Sequence, residues 1–248
     1  VQGVVTGVGR RGFFLQSVEP GPDSLASDAI YVFSPKWPAP VGALLEVRGE
    51  VADFFRQENG KPVTQITLDD AQILESAGPK IKAFELTAEN VPSDADELAI
   101  FLNSLEGMLV TIAPGQTFIA PSNPFGDYVL ILDAEKPVAG VTRTEQGGVL
   151  IDHDNPLRWF PGFRMPRGTQ APRLNVGSKL LSRITGPLNY RVEAFQIKVD
   201  HPVDVELAEY TLSASRLTPE DGFLTVMTLN GFNLDMHVES GSLVKNPR

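Results

Sequence analysis

Hydrophobic positions in the first 75 residues recur with period two in short runs, the pattern of half-buried strands. Five such runs are present. Val1 to Val8 alternates loosely, and Gly12-Phe-Phe-Leu-Gln-Ser17 follows a tight Gly9-Arg-Arg-Gly12 turn. Ala29 to Phe33 is a compact apolar and aromatic run, Leu44 to Val51 alternates, and Val63 to Ile73 closes the set. Strands of this length, parted by Gly, Pro and Asp clusters, predict a small barrel or sandwich. Gly49 lies inside the fourth run, where a small barrel needs a sharp bend.

From residue 76 the alternation lapses, and residues 79–92 read as a linker with Pro79 and Pro92. A helix is predicted from 93 to 105, with Ser93 as its cap and Asp96 in capping-box position. Leu98, Phe101, Leu102 and Leu105 form its apolar stripe, which suits packing on a barrel. Strand patterns return at Met108–Ile112, Gln116–Ile119 and Tyr128–Leu132. An insert rich in Gly, Pro and Arg follows from about 137 to 174, and then strands at Lys179–Thr185 and Arg191–Val199. Val41-Gly42 opens a strand that reaches Gly49, and Val176-Gly177 opens another that reaches Gly186. The two fall at the same late point of each half, which predicts two copies of one unit.

Composition agrees with short strands and turns. The chain has 248 residues, 42% of them hydrophobic, with 22 Gly and 20 Pro. No 18-residue apolar run is present, so no membrane span is expected. Its start, Val1-Gln2-Gly3, has neither the charged nor the apolar region of a signal peptide. The absence of Cys removes disulfides and thiolate metal sites. A net charge of −10 argues against non-specific coating of nucleic acid. The charge is segregated, however. From Asn155 to Val192 there is no acidic residue but seven basic ones, which leaves 14 basic against 31 acidic residues elsewhere.

The stretch Gly222 to His237 runs a short apolar strand into Asn230, with a second Asn-Leu at Asn233. It resembles the opening strand of the endonuclease/exonuclease/phosphatase superfamily, the deoxyribonuclease I-like metal phosphoesterases. Gly12 to Gln16, Leu105-Glu-Gly-Met-Leu-Val110 and Gly177 to Gly186 extend the likeness to the N-terminal half of large bacterial extracellular nucleases of that superfamily. Leu229, the Gly231-Phe232 pair and Ser178 depart from its pattern. The resemblance implies a mainly β protein of two tandem OB-like small barrels with one short helix. It also implies a C-terminal tail that begins an α/β phosphoesterase domain. The expected division is an OB-like domain at 1–78, a linker at 79–92, a second OB-like domain with the helix and basic insert at 93–214, and a truncated phosphoesterase start at 215–248. Asn230 would be the sole catalytic position within the chain. The carboxylates that hold Mg²⁺ or Ca²⁺ would lie in sequence beyond Arg248, so no cofactor and no hydrolysis are expected of this chain alone. Secretion is implied with the family.

The expected role is therefore non-catalytic: presenting DNA or RNA to the phosphoesterase domain that follows. Arg158, Trp159, Arg164, Arg167, Arg173, Lys179, Arg183, Tyr190 and Arg191 are the candidate contacts in the basic window, with Arg10 and Arg11 at the rim of the first barrel. Aromatic faces stack on bases while Arg neutralises phosphates. The same arginines are equally suited to pairing with acids of their own chain. Phe13 and Phe14 point to opposite faces of one strand, so one is core and the other is covered or available to ligand. Two other readings stand: a structural spacer or dock for the catalytic domain, and a carbohydrate or cell-surface module. The Gly7-Val-Gly9-Arg-Arg-Gly12 match to a dinucleotide motif precedes a strand, which excludes a helix dipole at a phosphate. Asp152 to Asn155 has the polar composition of a cation-binding loop or of an ordinary turn.

Overall fold

A computed structural model describes residues 1–9, 11–23, 25–55, 61–92, 94–122, 127–132, 142, 162–164, 172–191, 194–209, 221–222 and 224. The chain divides into Val1–Tyr210 and Thr211–Arg248. The first unit is mainly β. Its N-terminal part is a closed five-stranded barrel of β1 (Gln2–Val8), β2 (Gly12–Gln16), β3 (Ala29–Phe33), β4 (Leu44–Phe54) and β5 (Val63–Glu75), in the order β1-β2-β3-β5-β4. All pairs are antiparallel except β3 with β5, where Tyr31–Phe33 faces Gln65–Thr67 in parallel. The inward positions of the alternating runs fill the barrel: Val5, Phe13, Leu15, Val32, Leu45, Val47 and Ile66 are buried, with Trp37 edge-on to Phe13 at 5.8 Å. Each side chain of this size stabilises by about 1.5–3 kcal/mol when fully buried. The expected bend at Gly49 is present. The β4–β5 register shifts between Arg48 and Gly49, and a Cβ at Gly49 would lie 2.1 Å from the Thr67 carbonyl oxygen.

The segment read as a linker contains β6 (Phe84–Glu85), which pairs in parallel with β7 (Leu109–Ile112). Two apolar residues flanking the charge alternation, Phe84 and Leu86, explain this; Leu86 belongs to the second core. Helix α1 spans Ala95–Ser104. Its cap is Asp94, whose carboxylate accepts the N–H groups of Asp96 and Glu97 at 2.9 and 3.0 Å. Asp96 therefore donates to the cap instead of completing a box with Ser93. Ser93 itself lies outside the described residues. The helix stripe packs as its period requires: Leu98, Leu102 and Leu105 are buried in the second core and Phe101 lies against it. Among the described residues no helix is long and apolar enough to cross a membrane.

The second core is walled by β8 (Thr117–Phe118), β9 (Asp127–Tyr128), β10 (Leu130–Ile131), β11 (Gly162–Arg164), β12 (Lys179–Leu180), β13 (Ile184–Arg191), β14 (Ala194–Lys198) and β15 (Val205–Glu206). These form a sheet β10-β8-β12-β15 and a sheet β6-β7-β13-β14-β11-β9. The strand expected from 191 to 199 is thus divided between the end of β13 and β14, which pair as a hairpin from Arg191 opposite Ala194. Phe118, Tyr128 and Phe163 knit the two sheets. Tyr128 and Phe163 stack at 5.0 Å, and Phe118 stands edge-on to both.

The two glycine-led strands share one construction. Gly42 and Gly177 both have φ of +87°, in tight turns closed by Ala43 N–H to the Pro40 carbonyl and Ser178 N–H to the Asn175 carbonyl. Gly42 then donates to the Val5 carbonyl and Val5 to that of Ala43, while Gly177 donates to Phe118 and Phe118 to Ser178. Gly186 repeats the close approach of Gly49, since a Cβ there would meet the Lys198 carbonyl oxygen at 2.2 Å. β11 and β14 pair in parallel, as β3 and β5 do.

Candidate functional site

The best-defined polar and aromatic constellation lies where the first barrel meets β7, β13 and the end of α1. Side-chain alternation turns Phe14 and Gln16 of β2, and Ala29 and Tyr31 of β3, to the outside of the barrel. They are not free. Phe14 is 3% and Gln16 5% exposed. The Gln16 side-chain carbonyl accepts the Leu109 N–H at 2.8 Å, and Ser27 donates to the Glu106 carbonyl at 2.6 Å. Gly107, with φ of +84°, sits so close that a Cβ would lie 3.3 Å from that of Ala29. On β1, a Cβ at Gly7 would meet the Pro187 ring at 2.8 Å. Two backbones approach at glycine here; the outward residues of β2 are buried, while Ala29 and Tyr31 of β3 keep part of their surface.

Lys61, just before β5, closes the edge of this junction. Its Nζ lies 2.7 Å from Glu106 Oε2 and 4.6 Å from the ring centres of both Tyr190 and Phe195. The rings stand edge-to-face at 5.1 Å. The other carboxylate oxygen, Glu106 Oε1, is buried without a hydrogen-bond partner, so the Lys61 ammonium is its main compensation. A cavity of about 370 Å³ opens beside the cluster, lined mainly by apolar atoms of α1 (Ala99, Ile100, Leu102) and of Tyr190 and Phe195, with Lys61 and Asn103 as polar groups. On β3, burial pushes the Tyr31 phenol above its ordinary range although the Arg11 amide and charge pull it down. Burial pulls the Lys198 ammonium below its ordinary range, opposed by Asp200.

Of the expected contact residues, the structure describes Arg11, Arg164, Arg173, Lys179, Arg183, Tyr190 and Arg191. Arg10, Arg158, Trp159, Arg167 and Asn230 lie outside the described residues, as do Asp152 to Asn155. Arg164 lies on β11 and Arg191 on β13. Arg183 is paired with Glu85 at 2.6 Å, and Lys179 donates to Thr117 Oγ1 at 2.7 Å. Tyr190 is half-buried against Phe195 and Lys61. Arg11 stacks over Phe33 at 5.1 Å, and Arg173 is exposed. Sequence reasoning missed Lys61, Glu106 and Gln16 as junction residues. Nothing local marks Lys61 as the partner of a ring 129 residues away. Yet the Leu105–Val110 segment, singled out above by resemblance, supplies Glu106, Gly107 and the Leu109 N–H to the junction.

In comparison with known proteins, residues 70–207 fit the family model described as a domain of unknown function (DUF8508). No curated protein and no solved structure matches the chain. The matched span runs from within β5 to β15 and takes in β6, α1, β13 and Glu106. It covers more than half of the 248 residues, and the chain belongs to this DUF8508 family.

Proposed function

We propose that the region before residue 211 is a non-catalytic platform of two OB-like barrels, joined into one rigid body, which serves a phosphoesterase domain that begins near residue 215. Five strands in the order 1-2-3-5-4, with the third and fifth parallel, describe the first barrel. The same order results for the second when β9 with β10, and β12 with β13, are taken as interrupted single strands. β8 then pairs with β10, β9 with β11, β11 in parallel with β14, β14 with β13, and β12 with β8. The shared turns and glycine approaches support the same reading.

One observation favours a platform over a binding module. OB barrels take oligonucleotides and sugars on the outer face of strands 2 and 3. In the first barrel the β2 part of that face is buried at Phe14 and Gln16, Gln16 is bonded to β7, and Ala29 of β3 lies against the Gly107 turn. A second reading, nucleic-acid positioning, is favoured by the acid-free window from Asn155 to Val192. Fluorescence anisotropy with labelled single- and double-stranded DNA at low and moderate salt separates the two, with an Arg164→Glu/Arg167→Glu variant alongside. The platform reading expects no binding at low salt, where electrostatics are least screened. Salt-sensitive binding that the variant loses would overturn it in favour of nucleic-acid positioning.

A further inference from the structure

Among the described residues the far half of β4 is a strand edge with no partner. β4 pairs with β1 through Leu44–Glu46, and Val47 closes that ladder by exchanging both backbone hydrogen bonds with Val1, at 2.8 and 2.9 Å. From Arg48 to Phe54 the strand is paired with β5 alone among the described residues, and all seven residues are exposed. Alternate residues of an antiparallel strand present both backbone groups to the same edge. Because Val47 faces β1, Gly49, Val51 and Asp53 present their N–H and C=O groups to the open side. Val51 is 63% exposed, and Phe54 and Phe55 are about half exposed. An open edge flanked by exposed apolar side chains is a template for an added strand.

Charge decides which strand. The ribbon of β4 and β5 holds Glu46, Glu50, Asp53, Asp69, Asp70 and Glu75, against Arg48, which is itself bound to Glu46 at 3.1 Å. Two copies of this edge would oppose acid with acid, on chains that each have a net charge of −10. We infer that the β4 edge from Gly49 to Asp53 is a docking site for an extended basic segment of a partner protein, with apolar side chains at alternate positions. The backbone ladder supplies affinity there, Val51 and Phe54 provide apolar contact, and Glu50 and Asp53 select basic residues. This proposal rests on the edge alone and stands apart from the platform reading.

The test is anisotropy of a labelled eight-residue peptide of alternating lysine and valine, with a glutamate–valine peptide as control. Binding of the lysine peptide should weaken by about tenfold or more in Val51→Pro, which removes an outward N–H but none directed at β5. A Glu50→Lys/Asp53→Lys variant, which leaves the backbone intact, should show the same loss, and added salt should weaken the wild type. Equal binding of both peptides, no binding of either, or binding unaffected by the charge-reversal variant would overturn the proposal. So would a dimer in sedimentation velocity that the Val51→Pro variant dissociates.

Discussion

Replacing Lys61 by Met should loosen the junction between the first barrel and the rest of its unit. Met keeps most of the aliphatic stem and removes the charge. Two cation–π contacts at 4.6 Å are lost, each worth about 0.5–2 kcal/mol depending on desolvation. Among the described residues the Glu106 carboxylate then keeps no cation, and leaving such a group unmatched costs about 1–3 kcal/mol. The pair is only partly shielded, with 33% and 19% of the side chains exposed, so the total falls below that of a fully buried pair. A loss of about 2–4 kcal/mol follows, or roughly 5–15 °C in melting temperature for a domain of this size. The assay is urea unfolding of wild type, Lys61→Met, Glu106→Gln and the double variant. The cycle should return a coupling of at least about 1 kcal/mol, because Glu106→Gln removes the charge that Lys61 serves. A coupling near zero, with both single variants close to wild type, would refute the assignment of Lys61 as the clamp.

Three further outcomes follow from the geometry. Gly49→Ala and Gly186→Ala should each destabilise by about 1–3 kcal/mol, as overpacking against a carbonyl oxygen does, measured by the same urea curves. Asp94→Ala should cost about 1 kcal/mol through the lost helix cap, and Ser93→Ala less. Alkaline titration followed at the phenolate absorbance should place Tyr31 above the ordinary phenol range. Its folded pKa exceeds the unfolded one, so that contribution to stability is complete below the unfolded value and lost as pH rises through the folded value. Tyr31→Phe should remove this part of the alkaline decline.

Legibility in the sequence followed the range of the interactions. The five strands of the first barrel could be read because period two and turn residues are local properties, and Gly49 marked its own bend. The helix stripe of Leu98, Phe101, Leu102 and Leu105 was legible for the same reason. The cap was misplaced by one residue because Ser93 and Asp94 both suit the position, and only backbone geometry chooses between them. Phe84 and Leu86 were too short a pattern to show β6, whose partner β7 lies beyond the helix. Trimmed strands such as β8 to β12, two or three residues each, carry almost no periodicity. The junction was the least legible. Gln16 to Leu109, Ser27 to Glu106 and Lys61 to Tyr190 join residues about 80 to 130 positions apart, and no local pattern encodes such pairs. Charge along the sequence marks Arg183 but not its partner Glu85.

On the platform reading the first barrel and the second core form one rigid body with the outer face of β2 closed. The chain has no cysteine, so two can be introduced without background, at the exposed Asp69 on β5 and at Asp200 after β14. A spin-label distance measurement between Asp69→Cys and Asp200→Cys should give a single narrow distribution, unchanged by excess single-stranded DNA. A broad or multiple distribution, or one that shifts with DNA, would contradict the account.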